Sequence, residues 1–192
     1  MSLKALRKKI DYLDGKIVEL LNNRTKLILN IAKEKSKSGK CAYVPERESD
    51  VLRKMSKNAS GPLDKEGLKA IYREIMSSSL KLEKPLRIAY MGPVASFSNL
   101  AAMKKFGSQV EYIACSNIAD VFLEVEKELA DYGVVPVENS IEGAVTHTLD
   151  VLVDSDLKIC SQVILNIEHN LLSNSAKNKI KKIYSNPQVF GQ

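Results

Sequence analysis

The sequence predicts two domains of different classes, an all-α domain in residues 1–84 followed by an α/β domain in residues 85–192. Up to Lys84 the apolar residues recur every three or four positions, which is the spacing of amphipathic helices. After Pro85, short apolar runs alternate with helical stretches, as in a sheet covered by helices. The charge divides near the same point, with 20 Lys and Arg against 11 Asp and Glu in residues 1–86 and 9 against 12 after them.

The first predicted helix runs from about Ser2 to Lys37 and has one charged residue, Arg24, in its apolar seam. A buried guanidinium needs an anion, so Arg24 either binds an anionic ligand or pairs with a glutamate across a helix–helix seam. At about 1.5 Å per residue the helix is about 54 Å long. One small domain cannot cover that length, and a partner helix is expected. The other eight seam positions, counted by sevens in two registers, are Leu3, Leu6, Ile10, Leu13, Ile17, Leu20, Leu27 and Ile31.

Two further helices are predicted, from Pro45 to about Asn58 and from about Asp64 to Glu83. One face of the last helix is apolar, and Ser79 and Glu83 lie on the same face nearer the C-terminal end. Its apolar members are Leu68, Ile71, Tyr72, Ile75 and Met76. The α/β region is predicted to have strands at residues 86–91, 110–115, 132–137 and 158–165 and helices at residues 98–107, 118–130 and 143–153.

Composition limits the classes of function. The chain has no apolar run of about 18 residues and no apolar block of the signal-peptide type near its start, which predicts a cytoplasmic protein. The three cysteines and two histidines are too scattered to indicate a disulfide framework or a zinc site. The basic first region leaves open a helical dimer that binds nucleic acid, although no groove-reading motif supports it.

Three basic residues of the first helix differ in what they can reach. Arg24 and Lys35 are eleven residues apart, about 20° in angle and about 16 Å in rise on a straight helix. Two long side chains can therefore lean together around one small anion. Arg7 lies about 25 Å before Arg24 and about 100° round the helix. It reaches the same ligand only from an antiparallel partner helix.

The stretches "ALRKKIDYLDGKIVELLNNR", "IAKEKSK", "YVPERESDVL" and "IYREIMSSSLKLE" resemble the all-helical chorismate mutase domain, whose three helices form an intertwined dimer. The resemblance covers residues 1–84 and implies a homodimer with chorismate and prephenate as ligands. It also implies that Lys35, Glu83 and Arg24 are the catalytic residues. By the same resemblance, the substrate carboxylates bind Arg24, Arg47 and the partner chain's Arg7, with help from Ser79. The ether oxygen contacts Lys35 and Glu83. The ring hydroxyl binds Glu48.

The chemistry of that family fits these residue types. Chorismate rearranges to prephenate in one pericyclic step, so no nucleophile, metal or cofactor is required. The enzyme has to hold a dianion in a compact conformation and stabilise the negative charge that grows on the ether oxygen. A family variant has an aspartate that also binds the hydroxyl, and Val44 stands at that position here. Glu83 has the implied role unless it lies in solvent at a fraying helix end.

Two later stretches, "RIAYMGPVASFSNLAA" and "DYGVVPVENSIEGAVTHTLDVL", each place a strand before a turn and a helix N-terminus, where backbone N–H groups attract an anion. With "EHNLLS" and "IYSNPQ" they resemble the first lobe of prephenate dehydratase, a two-lobe fold similar to periplasmic binding proteins. The implied substrate-binding residues at the cleft are Ser96, Ser98, Asn139, Ser140, Glu142 and Gly143. Ser98 and Ser140 have an alternative role as helix caps, and Ala95 replaces a family glycine in the first turn.

The second lobe of that family carries a Thr-Arg-Phe motif with the catalytic threonine, and residues 1–192 contain no such motif. The sequence therefore predicts a chorismate mutase fused to a partial prephenate dehydratase domain, the enzyme pair that leads through phenylpyruvate to phenylalanine. No nucleic acid, membrane, metal or cofactor is predicted as a partner. The alternatives are a truncated scaffold or regulatory partner chain and a basic helical dimer that binds nucleic acid.

Overall fold

The computed structural model describes residues 2–37, 43–57, 60–139, 143–185 and 189–190. The chain begins with three helices: α1 (Leu3–Lys37), α2 (Pro45–Lys57) and α3 (Lys65–Glu83). Both α1 and α2 pack against α3. The three helices predicted from the sequence are confirmed, with Asn58 lying outside the described residues.

Local signals set the two ends of α3. The Asp64 carboxylate accepts a hydrogen bond of 2.6 Å from the backbone N–H of Gly67, which satisfies one of the free donors of the first turn. At the other end Lys84 has extended backbone, because the residue before Pro85 is disfavoured in the helical conformation. The chain therefore leaves α3 in the direction of the first strand.

The second half is built on a parallel sheet. Its strands are β1 (Arg87–Met91), β2 (Glu111–Cys115) and β3 (Tyr132–Val134), in the order β2-β1-β3. The crossover helices are α4 (Phe97–Phe106) and α5 (Ile118–Glu126). A two-stranded hairpin follows, formed by β4 (Glu138–Asn139) and β5 (Gly143–Ala144), and then come α6 (Thr146–Asp154) and a 3₁₀ turn at Lys177–Lys179.

Side chains of β1 alternate between the two faces of the sheet and build two apolar clusters. One cluster contains Tyr43, Leu86, Ile88, Tyr90, Ala102 and Phe106, and the other contains Ala89, Cys115, Val121 and Ala130. Gly133 of β3 allows α5 to approach, since a Cβ there would lie 2.8 Å from Val121 Cγ1. Tyr43 precedes α2, so the first cluster joins the helical and the α/β regions.

The predicted strand at residues 158–165 is wrong. That segment has no regular secondary structure and is mostly exposed. A strand needs backbone hydrogen bonds from a neighbouring strand, and this segment pairs with none of the described strands. The segment instead lies near α4, where Lys104 Nζ donates to the Ile164 carbonyl at 2.8 Å.

Three other elements are shorter than predicted. β3 ends at Val134, two residues before Pro136, which has no N–H to donate to a sheet. The helix predicted from residue 143 begins at Thr146, because Gly143 has a φ of +80° and pairs in β5. α5 ends at Glu126, and Glu128 follows in a left-handed turn with a φ of +56°.

Neither a membrane-spanning helix nor a metal-binding cluster occurs among the described residues. No described helix is both long enough and apolar enough to cross a membrane. No group of three or more His, Cys, Asp or Glu in the same ranges is placed to hold a metal ion. The cytoplasmic location stays a prediction.

Candidate functional site

Arg24, the charged residue of the α1 seam, contacts a serine of α3. Its Nη1 donates a hydrogen bond of 2.6 Å to Ser79 Oγ, and that hydroxyl in turn donates to the Ile75 carbonyl at 2.8 Å. Ser79 is buried. Burial lowers the pKa of Arg24; Tyr72 opposes this effect, and the nearby Arg47 cation adds to it. Among the described residues Arg24 forms no ion pair, so within one chain the half-buried cation is held by a neutral hydroxyl.

One turn further along α3, Glu83 contacts the second cation of α1. Lys35 Nζ lies 3.1 Å from Glu83 Oε1, with 24% of the lysine side chain and 7% of the glutamate side chain exposed. The alternative in which Glu83 lies in solvent at a fraying helix end is therefore wrong. Helices α1 and α3 together form two partly buried contacts, each between a basic residue of α1 and an oxygen of α3.

Glu48 lies in the first turn of α2, and its carboxylate accepts hydrogen bonds from one residue that precedes it in the sequence and one that follows it. Tyr43 Oη and Lys105 Nζ both donate to Glu48 Oε2, the lysine at 3.0 Å. The side chains of Lys105 and Glu48 are 16% and 11% exposed. Lys105 belongs to α4, so a residue of the α/β region contacts a residue that the sequence predicts for the helical site.

Neither Tyr43 nor Lys105 was predicted from the sequence as a site residue. Tyr43 lies only five residues before Glu48, and a tyrosine ahead of the proline that starts α2 is the one local signal available. Lys105 is separated from Glu48 by 57 positions, and no spacing rule relates residues that far apart. Only the tertiary fold, in which both α2 and α4 contact α3, brings them together.

The two remaining arginines of the predicted site are exposed. Arg47 is close enough to Arg24 to affect its pKa. Arg7 lies on the open surface of α1. The eight apolar seam residues of α1 are also uncovered in the single chain, with between 45% and 68% of each residue exposed. A second helix is required to bury that seam.

The helical region has three cations of the kind that an organic dianion requires. They are Arg24 and Lys35 of α1 and Arg47 of α2, and both helices pack against α3. The first two cations lie against polar groups of α3. Partial burial strengthens the attraction between such cations and a ligand, because less water screens the charges. The Glu83 carboxylate adds a hydrogen-bonding group beside Lys35, whereas the Glu48 carboxylate contacts Tyr43 and Lys105.

In the α/β region, Ser96 and Ser98 lie at the start of α4. Ser96 is the N-cap, since its Oγ accepts from the Asn99 N–H at 3.2 Å and donates to the Met91 carbonyl at 3.3 Å. Ser98 lies inside the first turn and is half-buried. The alternative that Ser98 caps this helix is therefore wrong. Ala95, where the family has a glycine, has a φ of +67°.

Asn139 and Gly143 pair across the β4–β5 hairpin, and Ser140 and Glu142 lie outside the described residues. The segment before this hairpin follows β3, just as the turn before Ser96 follows β1. Because β1 and β3 are parallel neighbours, both segments leave the same edge of the sheet, the carboxyl edge at which open α/β sheets bind ligands. The sheet topology thus directs the predicted dehydratase residues near Ser96 and those of the hairpin toward the same carboxyl edge of the sheet.

The fold and the site define a class of protein in which a helical unit with partly buried cations precedes a parallel α/β unit. Comparison with known proteins gives the family. The family model described as chorismate mutase type II matches residues 6–84, and that described as prephenate dehydratase matches residues 88–192. The chain belongs to the bifunctional chorismate mutase/prephenate dehydratase family.

Individual relatives agree with the family matches. The bifunctional chorismate mutase/prephenate dehydratase of Aquifex aeolicus is 46% identical over 99% of this chain, and that of Stutzerimonas stutzeri is 45% identical over 99%. In both cases the match covers 54% of the relative, so the chain spans about half the length of these proteins. A solved chorismate mutase (Form II) from Thermus thermophilus is 32% identical, with 43% of this chain and 93% of that chain covered and a TM-score of 0.42.

Proposed function

We propose that this chain is a chorismate mutase, which converts chorismate to prephenate, joined to part of a prephenate dehydratase in the phenylalanine branch of aromatic amino acid biosynthesis. The observation that carries the proposal is the pair of partly buried contacts between α1 and α3, Arg24 with Ser79 and Lys35 with Glu83. Four of the seven predicted residues meet there, and they are of the types that a dianion requires.

The reaction moves electrons round a ring of six atoms. The ether C–O bond breaks while a new C–C bond forms, and no proton is transferred. The proposed work of the site is therefore to hold the compact conformer and to stabilise charge. Arg24 and Arg47 bind the two carboxylates, and Ser79 keeps the Arg24 guanidinium in place. A bound ligand held in the reactive geometry avoids much of the entropic part of the barrier.

Charge on the ether oxygen is the second requirement. As the C–O bond breaks, negative charge grows on that oxygen, and a cation placed beside it lowers the barrier. Lys35 is the proposed cation, and it exchanges part of its contact with Glu83 for a contact with the ligand. Glu83 contributes a hydrogen bond only as the protonated acid, because a carboxylate has no hydrogen to donate.

A second copy of the chain is the proposed source of Arg7. The uncovered seam of α1 supports a dimer, since burying apolar surface is favourable by about 25 cal/mol per Å². An antiparallel partner helix also brings Arg7 toward Arg24 of the first chain. The proposed protein is thus a homodimer with two shared sites.

Chorismate consumption with identification of the product tests the proposed function. The assay has to run near neutral pH against a blank without enzyme, because prephenate loses water and carbon dioxide spontaneously in acid. We expect prephenate and no phenylpyruvate above the blank, since residues 1–192 contain no Thr-Arg-Phe motif. Enzymatic phenylpyruvate would contradict the dehydratase part. Failure to consume chorismate, together with salt-dependent retention on DNA, would favour a nucleic-acid-binding dimer instead.

A further inference from the structure

We infer that Lys105 of the α/β region, together with Tyr43, is a positioning residue of the mutase site and acts through the Glu48 carboxylate. This inference rests on the proposed function, in which Glu48 binds the ring hydroxyl of the substrate. It assigns to the α/β region a direct part in a reaction carried out by the helical region.

Two side chains hold the Glu48 carboxylate. Lys105 Nζ donates to Glu48 Oε2 at 3.0 Å, and the Tyr43 hydroxyl donates to the same oxygen. Both partners of the ion pair are at least four-fifths buried, with 16% and 11% of their side chains exposed. An ion pair in that position is weakly screened, and removing one partner leaves a buried charge without compensation.

Tyr43 is itself held rigidly. Its ring packs against Phe106 and Tyr132 with centroid distances of 5.3 Å and 5.2 Å, and only 5% of the residue is exposed. Lys105 Nζ lies 5.9 Å from the centroid of the same ring. Burial and the Glu48 carboxylate raise the pKa of Tyr43, so the hydroxyl keeps its proton and remains a donor. Both groups that bind Glu48 are therefore fixed by the core of the α/β region.

The geometry also determines which oxygen of the Glu48 carboxylate accepts the two hydrogen bonds. Within the described part of the chain, both hydrogen bonds accepted by the Glu48 carboxylate involve Oε2. Two donors on one oxygen orient the carboxylate and leave Oε1 to accept a hydrogen bond from a ligand hydroxyl. A side chain held in its productive rotamer before the ligand arrives loses less entropy on binding. Lys105 thus acts on the reaction without contacting the substrate.

The test compares Lys105→Met with Lys104→Met in the full chain. Lys104 is the neighbouring lysine of α4, but it is exposed and donates to the Ile164 carbonyl, so it controls for charge and for helix propensity. We expect kcat/KM for chorismate to fall roughly tenfold in Lys105→Met, within the range of coupling measured for contacting residues, and to stay near the wild-type value in Lys104→Met. Lys105→Arg keeps the charge and should recover most of the loss. Thermal unfolding of each variant shows whether it is folded.

A double-mutant cycle separates positioning from a merely structural role. In a Glu48→Gln background the Lys105→Met change should have little further effect on kcat/KM, because the lysine acts through the carboxylate that has been removed. Tyr43→Phe, which deletes only the hydroxyl, should give a loss of the same kind. An active Lys105→Met variant with wild-type kcat/KM, or an equal loss with and without the Glu48 carboxylate, would overturn the inference. An inactive wild-type chain would instead refute the proposed function on which the inference rests.

Discussion

Lys84 Nζ lies 2.6 Å from Asp131 Oδ1, so the residue that follows α3 is tied to the residue that precedes β3. The other oxygen of the same carboxylate, Oδ2, accepts from the Arg87 N–H at 2.9 Å, and the Asp131 N–H donates to the Arg87 carbonyl at 2.8 Å. These contacts fix the direction in which the chain enters the sheet. They form a corner in which the segment between α3 and β1 is held against the residue that precedes β3. This corner lies outside the proposed mutase site.

The corner at Asp131 predicts a pH-dependent loss of stability on substitution. Partial burial alone would raise the pKa of Asp131, but Lys84 and the Arg87 N–H outweigh it and the pKa is lowered. A carboxylate with a lowered pKa in the folded state stabilises the fold above its unfolded pKa, and the contribution disappears as pH falls through the folded value. We expect Asp131→Asn to reduce the free energy of unfolding by about 1 kcal/mol near neutral pH and to have little effect in strong acid.

Urea unfolding at several pH values measures this difference. The exposed Asp156, which follows α6, provides the matched control, and Asp156→Asn should leave the unfolding midpoint unchanged throughout. An equal loss for Asp131→Asn in acid and at neutral pH would show that the carboxylate charge is not the stabilising feature.

A substitution at Ala95 should change the free energy of unfolding in the opposite direction, toward greater stability. Its φ of +67° lies in the left-handed region, which is unfavourable by about 1–2 kcal/mol for a residue with a Cβ. Glycine removes that strain but gains freedom in the unfolded chain, a loss of about 0.4–1 kcal/mol. We expect Ala95→Gly to raise the free energy of unfolding by about 0.5–1 kcal/mol. Ala101→Gly, inside α4, should lower it by about 1 kcal/mol, and stabilisation by both or by neither would contradict the argument.

Much of the fold could be predicted because its signals are local. The heptad of α1 needs only spacing along one chain, and Pro45 and Pro85 mark helix boundaries by their own geometry. The third helix was predicted with Ser79 and Glu83 on its apolar face, and these residues contact Arg24 and Lys35. Sequence periodicity was sufficient at these positions.

The errors arose where partners are distant in sequence. Residues 158–165 have the composition of a strand, but composition does not supply the neighbouring strand with which to pair. Ser96 and Ser98 are both serines near the start of α4, and only the backbone conformation decides which one caps the helix. The contact between Glu48 and Lys105 depends on how α2 and α4 are each placed against α3, which no local pattern encodes.

The proposed dimer predicts that two inactive variants restore activity together. Arg7→Ala and Arg24→Ala chains should each be nearly inactive, because every site lacks one arginine. A heterodimer has one site without either change and one site with both. After random exchange about a quarter of the sites should be intact, so about a quarter of wild-type chorismate turnover should return.

A second mixture provides the control for this experiment. Arg24 and Arg47 are assigned to the same chain, so mixing Arg24→Ala with Arg47→Ala should recover nothing. Subunit exchange has to be demonstrated independently, for instance with a mass-tagged chain. No recovery in the first mixture under exchanging conditions would refute the shared site, and recovery in the second would refute the assignment of Arg47.

The last prediction concerns Glu83, whose side chain is 7% exposed and lies 3.1 Å from Lys35 Nζ. In the proposed mechanism Glu83 faces the ether oxygen, which becomes negative as the C–O bond breaks. A carboxylate there repels the growing charge, whereas the protonated acid donates a hydrogen bond to it. We therefore expect the rate of chorismate turnover, measured from about pH 5 to about pH 8, to fall as pH rises.

Glutamine at this position donates from its amide at any pH. Glu83→Gln should consequently hold its rate across the same range and exceed the wild-type rate at the alkaline end. Glu34→Gln is the matched control, because Glu34 also contacts a lysine of α1, Lys37, but at a side chain that is 73% exposed, and it should keep the wild-type profile. A wild-type rate that is flat with pH, or a folded Glu83→Gln protein that is inactive at every pH, would show that Glu83 does not face the ether oxygen.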